Sequence, residues 1–367
     1  MFRKILAAVL CLTLVLSLAG CSLFGGTESD NSGSDTETVS SEKPEPVKQS
    51  LTNPLTGVKD LERDNADARP VAVMVNNITQ AQAVQTGLGS ADIVYETEVE
   101  GGVTRLMAIF KNFKAAGQIG SVRSARYPYV DLALGHNAIY VHCGQDPTYC
   151  APHLKDIDDI SVDTGTKGAK RISNGLASEH TLYVFGNELW PTLTSKFKTT
   201  ADNVLWQNFA GEDETVTLTG GAADRVEIPF PVLKTVFEYD GETGLYTRYS
   251  RGNVLKDYVT GKGITVKNVF VLLTSISNYP DGKHRRVDLS GGKGYYVTNG
   301  TVMPVKWQKG AATASVKITD ETGNEVKVSA GKSWVCIANS ATCKPVFEKS
   351  EVTTTTTAAT TASTGIN

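Results

Sequence analysis

Two apolar runs, Ile93 to Val99 and Val103 to Phe110, stand on either side of Gly101-Gly102, and no other feature restricts the fold of this chain as tightly. Runs of that length, rich in β-branched and aromatic residues, read as strands, and a two-residue glycine spacer has the length of a primed hairpin turn. Strand periodicity then places Glu96, Glu98 and Glu100 on one face, with Ile93, Tyr95 and Val99 on the other. With Gly101-Gly102 as the turn, Glu100 opposes Val103 and Glu98 opposes Arg105, so that Arg105 joins the acidic face.

Around this hairpin the first half mixes helices and strands. Arg69-Pro70 leads into Val71-Ala72-Val73-Met74-Val75, a buried strand bounded by Asn76-Asn77. Pro128 to Leu134 reads as a short helix with Pro in its first turn and Gly135 after its last. Ala138 to Val141 is a further strand, His153 to Ile160 looks helical, and Leu182 to Phe185 extended. From about Val226 short strand-like runs dominate, among them 235–239, 245–249, 267–273, 295–297, 314–318, 326–328 and 334–337. Asp240-Gly241, Asn299-Gly300 and Thr322-Gly323-Asn324 mark turns between them, so this half reads as a small sandwich or barrel. The fold class is therefore α+β, a mixed α/β N-terminal domain over 51–221 followed by a smaller, mostly-β C-terminal domain over 222–351, with Gly220-Gly221-Ala222-Ala223 as the joint.

Composition and the two ends set the compartment. Of 367 residues 40% are hydrophobic and 20% charged, enough for a real core. The 36 Lys and Arg against 39 Asp and Glu leave no basic bias, so nucleic acid is not an expected partner. Arg3 and Lys4 precede the apolar run Ile5 to Ala19, too short to span a bilayer and typical of a signal peptide over 1–20. The run ends in Leu18-Ala19-Gly20-Cys21, which looks like a bacterial lipobox with Cys21 as the lipidated residue; the alternative is an ordinary secretory signal with Cys21 incidental. Lipidation makes the membrane a partner and places the chain on the outer face of the cytoplasmic membrane. Residues 21–50 read as a disordered tether and 352–367 as a Thr-rich tail. Cys143, Cys150, Cys336 and Cys343 fall into two pairs of equal spacing. Outside the cytoplasm such pairs can close disulfide loops, with free buried thiols as the alternative; the spacing fits no zinc site, and no metal is expected.

Three groups of residues could carry chemistry. The acidic strip of Glu96, Glu98 and Glu100 with Arg105 suits acid/base work at a glycosidic bond, metal ligation or a bidentate clamp, or is simply the solvated face of a sheet. Gly120-Ser121-Val122-Arg123-Ser124-Ala125-Arg126, just before a helix, forms an anion site for phosphate, carboxylate or the protein's own glutamates. His142, at a strand end, and His180, in Ser178-Glu179-His180-Thr181, could act as base or ligand. G-x-S-x-G, H-E-x-x-H, P-loop and Rossmann fingerprints are lacking, and no cofactor is implied.

The runs Asn53-Pro54-Leu55-Thr56-Gly57, Arg69 to Asn77, Ala91-Asp92-Ile93-Val94-Tyr95-Glu96, Glu100 to Arg105 and Gly120 to Arg126 resemble the YerB-like lipoproteins of Gram-positive bacteria, described as domains of unknown function. Tyr246-Thr247-Arg248, Asn268-Val269-Phe270-Val271 and Trp307-Gln308-Lys309 resemble that family's C-terminal domain. The resemblance implies motif residues at Glu96, Glu100, Arg105, Arg123, Arg126, Asp131 and His142. Glu179-His180-Thr181 departs from the family's Pro-His-Asn, and Glu98, outside the motif, is expected at the surface. The leading functional expectation is a lipid-anchored envelope protein that binds, and as a hydrolase would cut, a cell-wall glycan or other anionic polymer. Glu96, Glu100 and His142 would be the catalytic groups, and Arg105, Arg123, Arg126, Asp131 and His180 would bind the ligand. The rival expectation is a non-catalytic scaffold, partnered by an envelope protein, whose charges form a structural salt-bridge network.

Overall fold

Ile93–Glu98 pairs on one edge with its hairpin partner Thr104–Phe110 and on the other, in parallel, with Ser333–Asn339, a strand from the far end of the chain. This computed structural model describes residues 50–349; the signal peptide, Cys21, nearly all of the tether and the Thr-rich tail lie outside them. The parallel pairing joins strands of both halves into one ten-stranded sheet. Its order is Lys317–Thr319, Thr301–Gln308, Gly291–Thr298, Asn268–Thr274, Ser333–Asn339, Ile93–Glu98, Thr104–Phe110, Val71–Asn76, Ile139–His142 and Asp159–Ser161. In place of a self-contained sandwich, the second half splits its strands between this sheet and a six-stranded one built around Arg225–Pro229, Lys234–Asp240 and Leu245–Ser250. Parallel neighbours need no connecting turn, so no local signal marks their pairing.

Both faces of the large sheet are covered, which is why its central strands are buried throughout instead of alternating. On one face Val73, Val75, Leu106 and Trp334 meet Val226, Phe237 and Tyr246 of the second sheet. On the other, Met74, Tyr95, Met107 and Phe270 meet Tyr129, Leu132 and Trp206, the first two from the helix Tyr127–Gly135, which carries Pro128 in its first turn. The expected helix over His153 to Ile160 is a single 3-10 turn, His153–Asp156, followed by the edge strand Asp159–Ser161. An 11-residue helix, Gly186–Lys196, follows the expected strand Leu182–Phe185.

The hairpin exists, but its register differs by one residue from the expected one. Glu98 opposes Thr104 and Thr97 opposes Arg105. The turn spans Glu100–Gly102, with Gly101 and Gly102 at φ 69° and 75°, and Val99 N–H donates to Val103 O at 2.8 Å. A one-residue slip exchanges faces, so Arg105 leaves the face of Glu96 and Glu98. The two-residue primed turn occurs instead at Asn299-Gly300, where both residues have positive φ and Thr298 opposes Thr301.

Cys143, Cys150, Cys336 and Cys343 are free thiols, the second of the two states that their spacing left open. Cys143 packs against the core of one sheet face while Cys150 is buried in the other, so sequence spacing misrepresents their separation. Cys336 is fully buried in Ser333–Asn339, its thiol 3.9 Å from a Glu96 carboxylate oxygen.

Asp92 pins the open end of the hairpin. Its carboxylate accepts from Asn53 Nδ2 at 2.8 Å and from Lys111 N–H at 2.6 Å, and its own N–H donates to Ile109 O. Burial pushes its carboxyl up to about 6, against the Lys111 and Asn53 hydrogen bonds. The folded state therefore holds the Asp92 proton more tightly than the unfolded chain. The stabilisation is complete below about pH 4 and is lost as pH rises through about 6. In urea unfolding, the stability of wild type relative to Asp92→Asn is expected to drop by about 3 kcal/mol between pH 4 and 7; a gap that is constant with pH would refute the assignment.

Candidate functional site

Glu96 stands at the centre of the ladder and is 1% exposed. Oε1 accepts from Asn77 Nδ2 (3.1 Å), Thr104 Oγ1 (2.8 Å) and Thr235 Oγ1 (2.9 Å), and Oε2 from Trp334 Nε1 at 3.0 Å. Arg248, also 1% exposed, brings its guanidinium to 3.9 Å from Oε2, donates to Thr235 Oγ1 and lies over the rings of Phe237 and Trp334. Two donors come from the first half of the chain and the rest from the second. The carboxylate thus ties the halves together, with every donor supplied by the protein and no opening to a polymer.

The second constellation lies where Val71–Asn76 and Ile139–His142 diverge. These strands run parallel and pair only over 71–73 and 139–141. The segment 121–125 fills the fork: Arg123 N–H donates to Met74 O, Cys143 N–H to Arg123 O and Ala125 N–H to Gly144 O. Arg126 then caps the N-terminus of Tyr127–Gly135. Arg123 and Arg126 thereby reach the carboxyl ends of two parallel strands, a common ligand position in open sheets. Arg105 joins them because the observed register turns it to this side. Arg105 is 7% exposed, donates to Ser124 O at 2.7 Å, and has no carboxylate in ion-pair contact among the described residues. Burial and the positive charges of Arg126 and Arg123, opposed by Glu100, push its guanidinium down to about 10.

Partners for the other two arginines are unequal. Arg126 hydrogen-bonds Glu100 Oε1 through Nε. Burial pushes the Glu100 carboxyl up, but the Arg126 hydrogen bond and the charges of Arg126 and Arg105 hold it below the usual range. Arg123 reaches Glu179 only at 3.8 Å, and its Nε is buried without a hydrogen-bond partner. Three guanidiniums thus share one firmly bound carboxylate.

The remaining expected residues are dispersed around this cluster. His142 is fully buried with both nitrogens engaged, Nδ1 with Gly144 O and Nε2 with Asp159, so neither is available as base or ligand. His180 accepts from Asn76 Nδ2 at 2.8 Å and places Nε2 3.4 Å from Glu179, bringing it beside Arg123. Asp131, on the Tyr127–Gly135 helix, faces His153 at 4.0 Å. Glu98, expected at the surface, is 2% exposed and meets Arg285 at 3.1 Å, because the second half of the chain covers that end of the strand. Among the described residues no group of His, Cys, Asp and Glu is arranged to hold a metal ion. Arg248 was within reach of sequence reasoning through Tyr246-Thr247-Arg248; Asp146, His284 and Arg285 lie in or beside loops without any pattern.

A strand-rich α+β protein with a buried ionic tie between its halves and an under-neutralised arginine cluster at a strand fork is the class defined by these features. A model described as the N-terminal domain of a protein of unknown function (DUF3048) matches residues 55–200, and the corresponding C-terminal domain model matches residues 226–335. The chain belongs to the DUF3048 family. "Putative lipoprotein YerB" of Bacillus subtilis (strain 168) is 31% identical to it over 299 residues, 78% of this chain and 86% of that protein. A crystal structure of YerB from Bacillus subtilis superposes with a TM-score of 0.69 at 28% identity, covering 81% of this chain and 99% of that one. Among the described residues no helix is long and apolar enough to cross a membrane.

Removing one partner of the Glu96–Arg248 tie leaves an uncompensated buried charge. Glu96→Ala should therefore lower unfolding stability by about 3–5 kcal/mol, and the double change Glu96→Leu with Arg248→Met should recover part of that loss. Equal losses in the single and double variants would show that the pair is not the unit of stability.

Proposed function

We propose that this chain is a lipid-anchored, extracytoplasmic binding protein that holds an anionic group of an envelope polymer on Arg105, Arg123 and Arg126. The observation that carries this reading is Arg105, a guanidinium buried between two others with a backbone carbonyl as its hydrogen-bonding partner. Guanidiniums provide planar, paired donors that match phosphate and carboxylate, and an anion at this point would satisfy all three. Support for the location comes from the Cys21 lipobox and from the relative named as a lipoprotein. The anchor would leave the binding face free outside the membrane.

Binding is favoured over hydrolysis by the state of the carboxylates. A glycosidic general acid needs a raised pKa and access to the leaving oxygen. Glu96 is enclosed by its donors, and Glu100 is bound to Arg126 and held low. The Glu96 tie is the part of the rival, scaffold reading that the geometry favours, and it coexists with binding because it involves different arginines.

The test is cosedimentation of the full-length chain with purified cell-wall sacculi, with and without their covalently attached anionic polymers. Wild type should bind the polymer-bearing walls, release no soluble fragments, and lose affinity as salt rises. Arg123→Gln should weaken binding about tenfold with little change in stability, since it removes a charge-assisted contact worth about 1.5–3 kcal/mol. Equal binding to stripped walls, or fragment release abolished by Glu100→Gln, would overturn the reading.

A further inference from the structure

The hairpin formed by Ile276–Asn278 and Arg285–Val287 belongs to neither large sheet. Its tip is self-contained: Tyr279 N–H donates to His284 O, Gly282 N–H to Tyr279 O, and Asp281 Oδ1 accepts from the backbone N–H of Lys283 and His284. From there it reaches across to the first half. Tyr279 stacks on Tyr149 at 3.9 Å, and Arg285 meets Glu98. His284 enters a ring of three carboxylates, with Nε2 3.4 Å from Glu100 Oε1 and 3.3 Å from Asp146 Oδ1, and Nδ1 2.5 Å from Asp281 Oδ2. The Glu100 oxygen it approaches is the one bound by Arg126.

We propose that His284 is a proton-operated clamp on the arginine site, holding the hairpin down and releasing Arg126 to a bound anion when its ring is charged. This rests on the anion-binding reading of Arg105, Arg123 and Arg126. A neutral imidazole has one N–H and can donate on one side only, leaving a lone pair against a carboxylate on the other. The doubly protonated ring donates to both sides and adds a positive charge among Glu100, Asp146 and Asp281. Glu100 is then shared with a second cation, and its hold on Arg126 weakens. The other groups that face the ring or its partners are the Tyr149 ring at 5.4 Å, Arg285 on the same hairpin, and Glu98, whose carboxyl burial pushes up against the charge of Arg285. Anion affinity should therefore be higher when the His284 ring carries its second proton than when it does not.

The full-length chain would be titrated calorimetrically with inorganic sulfate, whose charge is constant from pH 5.5 to 8.0, alongside His284→Gln, His284→Lys and His180→Gln. Hydrogen exchange over residues 276–287, corrected for intrinsic rates, would be followed at both pH values. Wild type should bind sulfate roughly fivefold tighter at pH 5.5, the size expected for one added charge at partly screened distance. His284→Gln should abolish the difference, and His284→Lys, permanently charged, should keep the tighter level at both pH values. The hairpin should be better protected at pH 5.5 in wild type alone. An undiminished pH difference in His284→Gln, or its loss only in His180→Gln, would overturn the clamp. Sulfate binding without pH dependence would overturn the clamp and leave the anion site standing. Hairpin protection that follows His284 with sulfate bound at neither pH would overturn the anion site and its coupling while showing the proton-dependent contact.

Discussion

The fold depends on the parallel pairing of Ile93–Glu98 with Ser333–Asn339, and that pairing is keyed by one buried carboxylate. Glu96 lies opposite Leu106 on one neighbour and Cys336 on the other, and collects donors from Asn77, Thr104, Thr235 and Trp334. A sheet of apolar strands can slip in register at little hydrophobic cost. A buried charge that must find four donors and a guanidinium cannot, because each missed partner leaves an unsatisfied group in a region of low dielectric. The same atoms therefore set the register and join the first half of the chain to the second.

The arginines divide according to how much negative charge the fold assigns to them. Arg248 has a buried carboxylate, a hydroxyl and two aromatic faces; Arg285 has Glu98. Arg105, Arg123 and Arg126 occupy a fork where the backbone supplies carbonyl oxygens and, among the described residues, only Glu100 supplies charge at hydrogen-bond distance. The first set is internal structure. The second carries more positive charge than its neighbouring carboxylates supply among the described residues, and His284 reaches the Glu100 that serves it.

Much of the local structure was legible before any fold was known. The strands at 71–76, 93–98, 104–110, 182–185 and 268–274 follow from apolar, β-branched runs, and the helix Tyr127–Gly135 from Pro128 in its first turn. The motif 120–126 already read as an anion site next to a helix start. Register was beyond reach, because Glu100-Gly101-Gly102 and Gly101-Gly102 are equally plausible loops by composition, yet they send Arg105 to opposite faces. Spacing also left the cysteines open between disulfide loops and free thiols, because it does not say which side of a sheet a thiol occupies: Cys143 and Cys150 fall on opposite faces, Cys336 and Cys343 on the same one.

By itself the sequence determined the compartment signals, the element types and the presence of a charged motif, since these depend on neighbours a few residues apart. Tertiary structure alone decided which charges would be buried and which left open. Glu96 and Arg248 are 152 residues apart, Glu100 and His284 are 184, and nothing in the local sequence of either member announces the other. A carboxylate's role follows from its distance to cations and its access to water, and only the folded chain fixes both.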